Sequence, residues 1–154
     1  ITDYTAAGLF VACIYAGAIF SNITLGTFGY LSLKNKFLST KAAGMISLAI
    51  LIFLPNFSGF LVASLLMGFC RGTRSVIFSP CIKKFSKKQD TAPYFAAAPL
   101  LTFPFASGFP VVFGKALDRF SFMGSTAYKG MFGISIGILL ITLAFGLVTE
   151  FNEE

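Results

Sequence analysis

Residues 4–33 read YTAAGLFVACIYAGAIFSNITLGTFGYLSL, thirty positions without a charged side chain. Wound as an α-helix at about 1.5 Å per residue, this stretch would run ~45 Å, more than the ~30 Å hydrocarbon core of a bilayer. It is too long for the apolar region of a signal peptide and has no basic segment before it. The stretch therefore reads as a membrane-crossing helix, and the rest of the chain repeats the pattern.

Four further apolar runs follow, at 37–54, 57–82, 91–114 and 129–149. Lys41 interrupts the second near its start, and Arg71 and Arg74 interrupt the third. The runs are continuous in polarity, not alternating, which suits helices and not barrel strands. Composition agrees. Over 154 residues, 56% are hydrophobic and only 12% charged, about half the charged share of a soluble domain. A soluble fold of this size leaves too much surface exposed to shelter that apolar content. The expected architecture is all-α: a single transmembrane domain over 1–154 with about five membrane helices, whose immediate partner is the lipid bilayer.

The net charge of +6 comes from residues placed between the runs, so it reads as topology and not as nucleic-acid binding. The connections at 34–41 and 83–90 hold three and four lysines, seven in all, while those at 55–56 and 115–129 hold three basic residues together. The positive-inside tendency puts the lysine-rich pair in the cytoplasm, with the C-terminus on the same side. Tyr4, Tyr30, Tyr94 and Tyr128 fall near run ends, where an amphipathic ring suits the interface. Tyr15 lies about 16 Å further along its helix than Tyr4, near mid-membrane.

Few residues carry recognisable chemistry. Histidine is absent, and Cys13, Cys70 and Cys81 match no metal or redox spacing, so they read as small packing residues. There is no GxSxG, P-loop, HExxH or acidic cluster. No catalytic residue, metal or cofactor is expected, and the chain is not read as an enzyme.

Arg71 and Arg74 stand out. An arginine near the bilayer centre costs about 2.5–3.5 kcal/mol on insertion scales and faces a bundle interior or a watery cavity. No Asp or Glu lies within any run to pair with them. They read either as anion-coordinating or gating cations in a pathway, or as cations that bond backbone or snorkel to the interface. Tyr15, Ser21, Asn22 and Thr24 are polar groups in the first run; they either line a substrate path or bond neighbouring helices. Pro93 suits a helix start. Pro99, Pro104 and Pro110, with Gly108 among them, should bend or break the fourth helix, as a flexible point or a static kink. Gly68–Gly72 and Gly133–Gly137 are GxxxG patterns that allow close helix packing.

Several stretches in order carry a resemblance. Gly29-Tyr-Leu31-Ser-Leu-Lys34-Asn-Lys36 is similar to a G-x-L-x-D-R-x-G-R-R loop, with Gly29, Leu31 and Lys34 fitting and Leu33 in place of the Asp. The third run carries Arg and Gly toward its end and then Pro80. A basic segment, Lys87-Lys88-Gln89-Asp90, leads into Pro93-Tyr94-Phe95. Gly108-Phe-Pro110-Val-Val-Phe-Gly114-Lys-Ala-Leu117-Asp118 resembles a G-x-x-x-G-x-x-L-D helix ending one residue wider. Tyr128-Lys-Gly-Met-Phe132 opens the last run, which Glu150 follows. Together these resemble helices eight to twelve of a twelve-helix major facilitator superfamily transporter.

That resemblance implies a partial major facilitator fold whose missing N-terminal helices belong to the same transporter. The chain would then be a fragment of a longer protein, expected not to transport alone. It implies a secondary transporter of a small-molecule solute working by alternating access, multi-pass in a plasma or bacterial inner membrane with a cytoplasmic C-terminus. Tyr15, Asn22, Arg71 and Arg74 are the expected pathway residues, and Gly29 and Lys34 the loop motif. The alternative is a non-transporting membrane assembly or interaction subunit.

Overall fold

The computed structural model describes residues 4–27, 31–86 and 91–148, apart from the side chains of Lys84, Phe85 and Phe105. Gly29, Tyr30, the basic segment 87–90 and the tail from 149 lie outside the described residues. Among the described residues all regular structure is helical. In chain order these are α1 (Tyr4–Ser21), a π-helical segment (Asn22–Thr27), α2 (Leu33–Phe53), α3 (Phe57–Phe85), α4 (Ala92–Arg119), a 3₁₀ turn (Ser121–Met123) and α5 (Ser125–Val148).

Among the described residues, five helices are long and apolar enough to cross a membrane: Tyr4–Thr27, Leu33–Phe53, Phe57–Lys83, Ala92–Arg119 and Ser125–Val148. The shortest has 21 residues. At the helical rise it spans ~31 Å, which matches a bilayer core. The helix ends differ from the apolar runs because charged residues with long stems join the helices. α2 begins at Leu33, not at 37. The Ser32 hydroxyl caps it by accepting from the Asn35 N–H at 3.2 Å, satisfying a donor that the first turn leaves unpaired. Lys34 is therefore in the first turn of a helix and not in a loop. α4 runs on to Arg119, where the cation meets the negative helix end. Gly124 has φ 56°, a positive value that glycine adopts without strain, and the chain turns there before α5 starts.

The charge-free connector at Pro55-Asn56 is a tight turn. The Leu54 N–H bonds the Ile50 carbonyl at 2.8 Å, and the Asn56 side-chain oxygen accepts from the Gly59 N–H at 2.7 Å. The second bond caps α3. A Cβ at position 59 would collide with the Leu54 carbonyl oxygen, so glycine is needed there.

The π-helical segment was not expected from the apolar run. Thr24 lies in it and turns its hydroxyl back onto the carbonyls of Phe20, at 2.7 Å, and Ser21, at 3.4 Å. Such back-bonding competes with the regular ladder, and a π turn widens it.

The described contacts gather into two compact units, residues 1–78 with 132–154, and residues 79–131. In the first unit, small residues bring α1 and α3 together. A Cβ at Gly17 would meet the Leu65 carbonyl oxygen, one at Gly68 the Ile14 carbonyl oxygen, and one at Gly72 the Ala18 carbonyl oxygen. Four residues forward on α1, from Ile14 to Ala18, is four forward on α3, so these two helices run parallel. The Ser21 and Thr73 hydroxyls, both fully buried, bond at 2.7 Å. Thr73 spends its hydrogen on the Phe69 carbonyl at 2.8 Å. A hydroxyl has one hydrogen to give, which leaves Ser21 as the donor to Thr73.

α2 runs antiparallel to α3. The Cys70 thiol donates to the Thr40 carbonyl at 3.3 Å and the Ser47 hydroxyl to the Ala63 carbonyl at 3.0 Å, seven residues forward on one helix and seven back on the other. α2 is also antiparallel to α5: Gly146 faces the Phe37 ring, and Gly44 faces Leu139. Lys34 Nζ closes this pair by bonding the Leu147 carbonyl at 2.9 Å. A lysine near a helix C-terminus satisfies a carbonyl that the last turn leaves unpaired. These directions are the ones that successive crossings of a bilayer require. α1, α3 and α5 point one way and α2 the other, which sets the start of α2 and the end of α5 on the same side.

The second unit contains the end of α3 from Ser79, then α4, the 3₁₀ turn and the start of α5. Pro99, Pro104 and Pro110 do not break α4, which is continuous from Ala92 to Arg119. Each proline deletes one backbone donor. No described side chain of α4 is buried, and Leu100 and Leu101 are 74% and 71% exposed. Such a surface suits lipid and is costly in water.

Candidate functional site

Arg71 and Arg74 are three residues apart on α3 and so share a face. Antiparallel pairing with α2 brings Lys41 to the same region, because the Thr40–Cys70 bond ties the residues beside Lys41 and Arg71 together. All three cations line one cavity of about 600 Å³ between α2, α3 and α5. The apolar part of its wall includes Leu48, Met67, Ile77 and Leu139. By helical rise Lys41 lies ~12 Å from the start of α2, and Arg74 ~14 Å from Lys83 near the end of α3, so the two charges are matched in depth.

Aromatic rings hold two of the cations. Lys41 Nζ sits 5.0 Å from the Phe37 ring centre, and the Arg71 guanidinium carbon 6.0 Å from that of Tyr15. Each such contact contributes roughly 0.5–2 kcal/mol. Among the described residues of this unit there is no carboxylate. Residues 4–89 contain no Asp or Glu, and the only acid among the described residues, Asp118, belongs to the other unit. Charges on opposite walls of a cavity this size are roughly 10 Å apart and repel by ~1.7 kcal/mol per pair at an effective dielectric of about 20. Bilayer insertion of each cation adds a cost of about 2.5–3.5 kcal/mol. Ring contacts of this size are smaller than these two terms together.

The expected pathway residues separate into two groups. Arg71 and Arg74 line the cavity. Tyr15 reaches it only through its ring contact with Arg71, and Asn22 accepts from the Ser75 hydroxyl at 3.2 Å in the α1–α3 seam. Pro99, Pro104, Gly108 and Pro110 are all in α4, in the second unit. Gly29 lies outside the described residues, and Lys34 ends α5 as described above. Gly68 and Gly72 pack against α1, whereas Gly133 and Gly137, which carry the same spacing, face open space.

The chain matches no protein family, no curated protein and no solved structure. The cavity must therefore be understood from its own residues. Lys41 is the one that sequence reasoning missed, since it looked like a topology charge at the edge of a short run. Its depth in α2, matched to the arginines of α3, was the available signal. Among the described residues no group of His, Cys, Asp or Glu gathers to hold a metal. The three cysteines are partly buried, and Cys70 lines the cavity.

Proposed function

We propose that the chain is a multi-pass membrane protein that forms the C-terminal bundle of a secondary transporter, moving a small solute by alternating access. The observation that carries this reading is the cavity lined by Lys41, Arg71 and Arg74 with no carboxylate within residues 4–89. With no counter-ion among the described residues of its unit, a bundle that needed only to pack would not retain three cations at this depth, because apolar residues of similar volume would be more stable there. The resemblance of residues 29–36 and 108–118 to major facilitator loops and helix ends supplies the wider frame. In that frame, further N-terminal helices complete the transport path. The lysine-rich connections and the C-terminus are cytoplasmic, in a plasma or bacterial inner membrane.

Uptake by the full-length protein in sealed vesicles tests this reading. Gradient-dependent flux is expected for at least one solute, and Arg71→Gln is expected to abolish it while the protein stays monodisperse. Absence of flux across a broad solute panel would refute transport.

A second reading, a membrane assembly subunit, draws on the open glycine face of α5 at Gly133 and Gly137, where a further helix can approach closely. It requires that Arg71→Gln leave partner capture unchanged, and that Gly137→Leu abolish it.

A further inference from the structure

We infer that the cavity between α2, α3 and α5 binds a phosphate monoester carrying an apolar group; this rests on the reading of the chain as a membrane bundle, but not on transport. Lys41, Arg71 and Arg74 line it, and their side chains offer donors and no acceptors. The other polar groups of the wall are already engaged. The Thr40 hydroxyl donates to the Lys36 carbonyl at 2.9 Å, and the Cys70 thiol to the Thr40 carbonyl at 3.3 Å. Their hydrogens are spent, so the three cations supply the donors of the wall, and no Asp or Glu among the described residues of this unit balances their charge; an anion with several acceptor oxygens suits them. Two guanidinium groups three residues apart suit the paired oxygens of a phosphate or carboxylate. A phosphate monoester carries close to two negative charges at neutral pH, which balances most of the three positive ones.

The remaining wall is apolar, so the phosphate needs an apolar body to fill it. The space of about 600 Å³ falls within the range of pockets that enclose small organic molecules. Depth identifies the source. The cations lie ~12–18 Å inside the helix ends, and a phospholipid headgroup would have to sink that far from the interface to reach them. A soluble ester has no such anchor to drag.

Cys70 provides a readout in the unaltered protein, because it lines the same cavity. The full-length protein is placed in phosphatidylcholine nanodiscs and treated with N-ethylmaleimide, and alkylation of each cysteine is followed by mass spectrometry. Hexyl phosphate is expected to slow modification of Cys70 saturably, while Cys13 and Cys81 react at unchanged rates. Hexanol and inorganic phosphate are expected to protect far less. Calorimetric titration of hexyl phosphate should weaken about 10- to 100-fold in Lys41→Met, Arg71→Gln or Arg74→Gln, the range for losing a hydrogen bond to a charged group. No saturable protection of Cys70 would overturn the site. Equal protection by hexanol would overturn its anion selectivity. Displacement of hexyl phosphate by phosphatidic acid added to the disc would overturn the soluble source in favour of the lipid. Protection without flux leaves the site standing and removes only the transport reading.

Discussion

Replacing Gly68 with alanine places one methyl group where two backbones already touch. A Cβ there meets the Ile14 carbonyl oxygen, with the Ile14 carbonyl carbon at 2.7 Å and its Cα at 2.8 Å. Non-bonded carbons prefer about 3.5–4.0 Å, so α1 and α3 must separate by roughly 1 Å. Backbone cannot rotate out of the way as a side chain can. Overpacking of this kind costs about 1–3 kcal/mol. The Ser21–Thr73 bond, 2.7 Å long, is stretched beyond hydrogen-bonding range by the same displacement. Losing it adds about 0.6 kcal/mol in a membrane setting. The total is about 2–4 kcal/mol, reduced by up to ~1 kcal/mol from the better helix propensity of alanine. Titration from mild detergent into sodium dodecyl sulfate, followed by far-ultraviolet circular dichroism because the chain has no tryptophan, measures the loss. Gly133→Ala and Gly137→Ala serve as controls, since both positions face open space, and should be neutral or slightly stabilising. If Gly68→Ala unfolded at the same detergent fraction as these controls, the close parallel seam between α1 and α3 would be wrong.

Asn56→Ala removes the cap on the Gly59 N–H and should cost about 1 kcal/mol in the same titration, with Asn56→Asp nearly neutral. Lys34→Met removes the bond to the Leu147 carbonyl, and faster amide exchange is expected in the last turn of α5 while α1 is unchanged. Lys41→Met should raise stability by about 1–3 kcal/mol in the absence of anions, because it removes a desolvated cation and its repulsion from the arginines; a loss of stability would show that Lys41 is a structural partner.

The five helices were legible because length and polarity leave no other way to satisfy thirty uncharged residues at a stretch. The ends were less legible. Lys34, Lys115 and Arg119 look like loop charges, yet α2 and α4 extend to include them. Their aliphatic stems cover apolar surface while the charged heads stay near the helix ends. Three prolines were expected to bend or break α4, and the helix runs unbroken through them. In α1, the scatter of polar groups was visible, but the π segment depends on where the Thr24 hydroxyl turns. Half of the site was visible in Arg71 and Arg74. The rest depends on which faces of nearly uniform apolar helices meet, and that is decided by glycines such as Gly17 and Gly68, whose close packing Gly133 and Gly137 do not share.

Side-specific labelling of single cysteines tests the central claim most directly. In a background with Cys13, Cys70 and Cys81 replaced by alanine, cysteines are placed at Asn35, Asn56, Lys83 and Ser121, all exposed positions at helix ends. With an impermeant maleimide on sealed cells and on inverted vesicles, positions 35 and 83 should label only from the cytoplasmic face, and positions 56 and 121 only from the opposite one. Labelling of 35 and 83 from opposite faces, or of all four from both, would contradict five successive bilayer crossings.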